Sequence, residues 1–187
     1  MKMMCSVVIL HMSNATFSIW TVQNIPIALE DAWDFFSNPD NLQVITPANL
    51  GFTILSKHHG KKMYAGQIID YTVKPLLGIP VYWMTEITHV VEGQYFIDEQ
   101  RFGPYQLWHH QHHFKSIEGG VEMTDIVHYR NPLGFLGKIA NQLIVKNQLR
   151  KIFEYRYEKL EELFGKWPVP TAKTIDFNKV DRKIIPA

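Results

Sequence analysis

Residues 134–164, GFLGKIANQLIVKNQLRKIFEYRYEKLEELF, run without a proline, with Pro132 just before them and Gly165 just after. Proline and glycine in those places are start and stop marks for a helix. As one α-helix the stretch would be about 45 Å long. Its apolar residues do not keep to one stripe. Phe135, Leu136, Ile139, Ala140 and Leu143 share one face, and Leu149, Ile152, Phe153, Tyr157, Leu160 and Phe164 share another. The two faces are offset by roughly a quarter turn. Lys146, Asn147 and Arg150 stand where the first face would continue. One reading is a bend with polar residues reaching solvent. The sharper one is a helix whose second half seals a core around Phe153 and Leu160 while its first half borders a wet cavity. Either way, a single helix of this length needs a sheet to lie on.

The preceding residues supply one. Residues 17–25 alternate as a strand and end at Pro26. Residues 29–36 place Leu29, Ala32, Trp33 and Phe36 at helical spacing, closed by Asn38-Pro39-Asp40, and 42–46 predict a further helical turn before Pro47. From Gly51 the period becomes two. Strands are predicted at 52–58, 63–74, 81–91, 95–102, 105–115 and 121–130. They are separated by His59-Gly60-Lys61, residues 75–80, Gly93-Gln94, Gly103-Pro104 and Gly119-Gly120, all turn chemistry. Short sequential connections favour an antiparallel meander. The expected fold is α+β: a curved seven-stranded antiparallel sheet wrapped around a long C-terminal helix, with two short helices after the first strand. The expected division is an N-terminal extension at 1–15, one domain at 16–164 and a C-terminal tail at 165–187. That tail carries Pro168, Pro170 and Pro186 and predicts an extended segment laid over the surface.

Composition narrows the function. The 187 residues suit one domain with a full core. A net charge of +1 and no basic run argue against a nucleic-acid partner. Cys5 is the single cysteine, which excludes an internal disulfide framework and a cysteine metal knuckle. Val7 to Leu10 is too short an aliphatic run for a secretory core, and no stretch is long enough to span a bilayer. The expectation is a cytoplasmic protein without membrane insertion, with translation starting at Met1 or at Met12. Aromatic residues reach 13%, and large rings fill broad cores or line pockets for apolar ligands.

Register assigns the inner face. A four-residue connection, 116–119, pairs Phe114 with Val121, His112 with Met123, His110 with Asp125 and Trp108 with Val127. A slip of one would mix rings with charges on both faces. A two-residue Gly93-Gln94 turn places Glu86 opposite Arg101 and Thr88 opposite Glu99. The other face then carries Trp83, Thr85, Ile87, His89 and Val91, with Phe96, Asp98, Gln100 and Phe102. A few polar groups among rings are costly in a packed core and expected in a pocket of about 300 Å³ or more. The candidate ligand-binding residues are Tyr71, Trp83, Thr85, Asp98, Gln100, Trp108, His110, His112, Met123, Asp125, Asn147 and Arg150.

Two chemistries compete with simple binding. His110 and His112 with Asp125 would make a two-histidine, one-carboxylate metal set, but alternating histidines on a strand with no defined third ligand are a weak signal, and no metal and no cofactor are expected. In the enzyme reading Asp125 orients His110 as a general base. No nucleophile elbow, phosphate loop or dinucleotide fingerprint accompanies it.

The element order resembles the helix-grip fold of the START-like (SRPBCC) superfamily. More specific stretches resemble an uncharacterised bacterial ligand-binding branch of it. They are Asn41-Leu42 with Ile45-Thr46-Pro47, Leu77-Gly78-Ile79-Pro80 with Trp83, and Phe96 to Gln100 with Gly103-Pro104-Tyr105. The likeness continues through Trp108, His110, His112, Phe114, Asp125, Tyr129 and Leu133-Gly134 to Ile152-Phe153 and Tyr155-Arg156. This resemblance implies a hollow interior for a small apolar or amphipathic molecule, and names no ligand. Its cyclase-like members imply proton abstraction beside a carbonyl as the alternative activity. Fusions among relatives imply a third reading, a module for an epimerase-like partner, with the tail from Lys166, which includes Trp167, as a docking segment unless it covers its own domain.

Overall fold

The computed structural model describes residues 15–57, 62–76, 78–132, 144–168 and 174–179. Strand β1 (Phe17–Ile25) leads into helix α1 (Leu29–Phe36) and two single 3-10 turns, Pro39–Gln43 and Ala48–Leu50. Six strands follow: β2 (Thr53–Ile54), β3 (Gln67–Leu76), β4 (Ile79–Val91), β5 (Tyr95–Phe102), β6 (Leu107–Ile117) and β7 (Gly120–Arg130). Helix α2 (Lys146–Phe164) and strand β8 (Thr174–Lys179) complete the described chain. All strands join one antiparallel sheet in the order β2-β3-β4-β5-β6-β7-β1-β8.

The sheet therefore has eight strands among the described residues rather than seven. The eighth comes from the segment read as a surface tail. Ile175 and Phe177 alternate with Asp176 and Asn178, and the strand pairs along β1 from Thr174 opposite Val22 to Lys179 opposite Phe17. Other boundaries move as well: the strands expected at 63–74, 81–91 and 105–115 are Gln67–Leu76, Ile79–Val91 and Leu107–Ile117. The strand expected at 52–58 is reduced to Thr53–Ile54, and the helical turn expected at 42–46 begins at Pro39, whose ring suits a first helical position. The Asn38 side chain caps that turn by accepting from the Asp40 amide at 3.1 Å.

Helix α2 covers the second half of the stretch expected at 134–164, and residues 133–143 lie outside the described residues. Its inward face is the second apolar stripe, with Leu149, Phe153 and Leu160 buried. Leu160 joins Ile25, Trp33, Phe36, Phe96, Phe114 and Met123 in one cluster, while Leu149 and Phe153 join Ile19, Val127 and Tyr129 in another. Fully burying one such leucine contributes about 1.5–3 kcal/mol.

Strands β6 and β7 meet through the two-residue turn Glu118-Gly119, with Gly119 at φ 84°, instead of the four-residue connection expected. The pairing is displaced by two positions, so that His112 faces Asp125, His110 faces Val127 and Phe114 faces Met123. A shift of two leaves every side chain on its expected face, because the pleat has period two. The β4–β5 hairpin departs further. Val91 pairs with Tyr95 across a three-residue loop, and the register shifts between Ile87 and His89 and again between Met84 and Thr85. These irregularities turn His89 and Phe102, expected inside, to the surface, and Val90 packs on the core instead.

Gly120 opens β7 where space, not backbone freedom, demands glycine. A Cβ there would run into the Ile25 carbonyl oxygen, with Pro26 Cα at 3.0 Å and the Trp167 ring at 2.9 Å. Gly120→Ala is expected to cost about 1–3 kcal/mol by overpacking, read from the midpoint of urea unfolding. Trp167, in the segment considered above for docking, thus lies over the chain's own β6–β7 turn.

Candidate functional site

A cavity of about 200 Å³ lies among the sheet, α2 and the segment following β1. From the sheet come Tyr71, Val73, Trp83, Thr85, Ile87, Phe96, Asp98, Trp108, His110 and His112; α2 contributes Gln148, Leu149, Ile152, Phe153 and Arg156. Phe35, Phe36, Asn38, Asn41, Leu42, Ile45 and Thr46 close another side. That side is braced locally: Asn41 Nδ2 donates to the Phe35 carbonyl at 2.9 Å, and the Thr46 hydroxyl donates to the Leu42 carbonyl at 2.6 Å.

One wall is aromatic. Trp83 packs on Tyr71, Tyr105 and Trp108 at ring separations of 5.8, 5.5 and 5.4 Å. Its Nε1 donates to Thr85 Oγ1 at 3.1 Å, and the Tyr71 hydroxyl meets the same oxygen at 3.3 Å. Burial pushes the pKa of the Tyr71 and Tyr105 hydroxyls up, so both stay neutral.

The adjoining part of the sheet, 6.2 Å along from Trp108 at the His110 ring, is polar. His110 and His112, two apart on β6, put their rings 3.7 Å from each other between two carboxylates. His110 Nε2 lies 3.1 Å from Asp125 Oδ1, and His112 Nε2 lies 2.9 Å from Asp98 Oδ2. His110 Nδ1 is 3.5 Å from the same Asp98 oxygen. His112 Nδ1 is 2.8 Å from Asp125 Oδ1 but off the hydrogen-bonding line, so this contact is electrostatic. Behind it, Arg156 Nη2 approaches Asp125 Oδ1 at 3.7 Å, and the Arg156 guanidinium sits 5.6 Å over the Phe36 ring.

Burial is the largest single influence on each of these groups, but it does not decide the outcome for all of them. It opposes ionisation of Asp125, but the Arg156 charge and then the His110 and His112 contacts outweigh it and hold that carboxyl well below its usual range. Burial and the neighbouring His112 push His110 down. For His112 burial works the same way, but Asp125 and Asp98 together outweigh it, so its pKa is raised. The pair is therefore asymmetric: His112 carries the proton more readily, and His110 is the neutral imidazole.

Of the residues expected to line the cavity, Tyr71, Trp83, Thr85, Asp98, Trp108, His110 and His112 do so. Five do not. Gln100 turns to the backbone of Tyr105, donating to its carbonyl at 2.6 Å and accepting from its amide at 3.2 Å. Met123 is packed in the cluster beneath α1. Asp125 stands behind the histidines rather than at the cavity surface, facing Thr21 of β1 and Arg156 of α2. Asn147 is exposed, and Arg150 lies 5.1 Å over the Phe177 ring of β8. The significant omission is Arg156. It interrupts the apolar row Leu149, Ile152, Phe153, Leu160, and a charge inside such a row is the signal that could have found it.

Sheet, helix and internal cavity together define a helix-grip-like α+β fold. No family model and no curated protein matches the sequence. Solved structures do match in shape. A protein from Chromobacterium violaceum is 10% identical over 79% of this chain and 96% of its own, with a TM-score of 0.61. A major latex-like protein from Panax ginseng is 13% identical over 80% of this chain and 97% of its own, with a TM-score of 0.58. The nucleoside-diphosphate sugar epimerase from Corynebacterium glutamicum is 20% identical over 76% of this chain but only 28% of its own, with a TM-score of 0.55. At these identities the likeness is one of fold. Among the described residues no helix is long and apolar enough to cross a membrane.

Proposed function

We propose that this protein binds a small, largely apolar molecule in the cavity between sheet and α2. The observation that carries this reading is an aromatic cavity with one polar wall, the combination that orients a ligand while burying it. Its size narrows the ligand. At about 200 Å³ it is smaller than the range expected above. An apolar cavity of about 150 Å³ takes up benzene. A single ring or a small fused pair bearing one or two polar groups is therefore the better fit than a lipid chain.

Small neutral aromatics such as 1-naphthol should bind near stoichiometrically and change tryptophan emission, since Trp83 and Trp108 both line the cavity. Trp108→Ala should weaken binding at least about tenfold, about 1.4 kcal/mol. Unchanged affinity in a folded Trp108→Ala protein would misplace the site. No binding by any small aromatic would favour the module reading, in which a partner resembling the epimerase neighbour is engaged instead.

A cyclase- or dehydratase-like activity is the second reading, favoured by the His110–Asp125 contact at 3.1 Å beside the cavity. Asp125 would orient a neutral His110 as general base. Asp125→Asn should then lower turnover at least about a hundredfold, whereas simple binding would lose only about 1–2 kcal/mol.

A further inference from the structure

The geometry points to a divalent metal site at the polar wall, formed by Asp98, His110 and His112 and open toward the cavity. A two-histidine set completed by Asp125 fails because Asp125 lies on the far side of both rings. The carboxylate that converges with them on the cavity side comes instead from β5. Asp98 pairs with His110 across the β5–β6 ladder, and the three residues bring donor atoms within 4.8 Å of one another.

Three observations support an ion there. First, the spacing fits. Asp98 Oδ2 lies 2.9 Å from His112 Nε2 and 3.5 Å from His110 Nδ1. With metal–ligand bonds of about 2.1 Å, those separations subtend roughly 90° and 110°, within the usual coordination angles. Second, one of the imidazoles is backed as metal-binding imidazoles are. His110 Nε2 hydrogen-bonds Asp125 Oδ1 at 3.1 Å, while His112 Nδ1 meets the same oxygen at 2.8 Å through charge alone. A carboxylate behind a ligating histidine orients the ring and raises its basicity. Third, the charges ask for a cation. Two carboxylates, Asp98 and Asp125, face a single guanidinium, Arg156, in a largely buried cluster. A bound dication would balance the second of these carboxylates.

Two imidazole nitrogens and one carboxylate oxygen suit a borderline first-row ion such as Zn²⁺, Fe²⁺ or Co²⁺ rather than Ca²⁺ or Mg²⁺. The remaining coordination positions would face the aromatic cavity, where a ligand oxygen or a water molecule can complete the shell.

The test uses the full chain, stripped with a chelator and titrated with Zn²⁺ by calorimetry and with Co²⁺ by visible absorption. We expect one equivalent to bind in the low-micromolar range or tighter. Asp98→Ala should weaken it at least about a hundredfold, as loss of a direct ligand exceeds the 10–100-fold expected for the positioning residue in Asp125→Asn. His109→Ala, on the outer face where His109 contacts Glu99 at 2.9 Å, should leave it unchanged. Imidazole ¹⁵N spectra of the unsubstituted protein serve if Asp98→Ala does not fold: Zn²⁺ should shift His110 and His112 and spare His109 and His128. The proposal is overturned if neither ion binds in this range, if binding survives Asp98→Ala, or if the outer histidines alone respond.

Discussion

Replacing Asp125 by alanine is expected to lower the stability of the folded protein by about 3–5 kcal/mol, the cost of breaking a buried charge network by removing one partner. Asp125 is 5% exposed and is the common neighbour of Arg156, His110 and His112, with the Thr21 hydroxyl donating to it at 3.4 Å. Without it a buried guanidinium faces two imidazoles with only Asp98 in reach of the rings. The pH dependence has a definite sign. Asp125 is held below its unfolded value of about 3.9. Its contribution is therefore present in full above about pH 4 and is lost as the pH falls toward the folded value. His112 has the opposite sign: its raised pKa stabilises fully below about 6.5 and ceases to do so as the pH rises through its folded value. Urea unfolding of both proteins at several pH values checks this. The gap between them should be wide at neutral pH and narrow in acid, and a gap that does not change with pH would remove Asp125 from the network.

The second large effect lies away from the cavity. Trp33 of α1 is 4% exposed and meets Phe96 and Phe114 edge-on at ring separations of 6.1 and 5.7 Å. Those two rings come from β5 and β6, so one indole joins the helix to the sheet. Trp33→Ala should cost about 3–5 kcal/mol through lost burial and the void left behind. Because Trp33 does not line the cavity, aromatic ligands should still bind the fraction that remains folded. A denaturation midpoint within experimental error of the parent would mean that α1 is not anchored as described.

What the sequence made legible follows from how far each signal reaches. The β6 and β7 strands announce themselves by alternation, and parity alone put Trp108, His110 and His112 on the inner face. The turn between them is a separate matter. Ser116 and Ile117 belong to the strand rather than the loop, so the pairing moved by two and exchanged the partner of His110 for that of His112. The β4–β5 irregularities have no period to betray them, and His89 and Phe102 were misplaced for that reason. Strand β8 is visible in principle, since Ile175 and Phe177 alternate with polar residues, but Pro168, Pro170 and Pro186 around it are equally the composition of an extended tail. The cavity's third side was harder to foresee. Phe35, Leu42, Ile45 and Leu50 look like ordinary core in sequence, and only the packing of that segment over the sheet makes them a lining.

The pairing of β1 with β8 has a topological consequence. Phe17 and Lys179, at opposite ends of the described chain, are cross-strand partners. Adjacent strands lie only about 5 Å apart. The domain is in effect a ring closed by hydrogen bonds instead of a peptide link. A covalent joint between those ends, with a new opening at the β4–β5 turn around Gly93, would reorder the strands along the chain while keeping every neighbour in the sheet. The cavity depends on which elements are adjacent in space, and the order in which a ribosome delivers them is incidental to it.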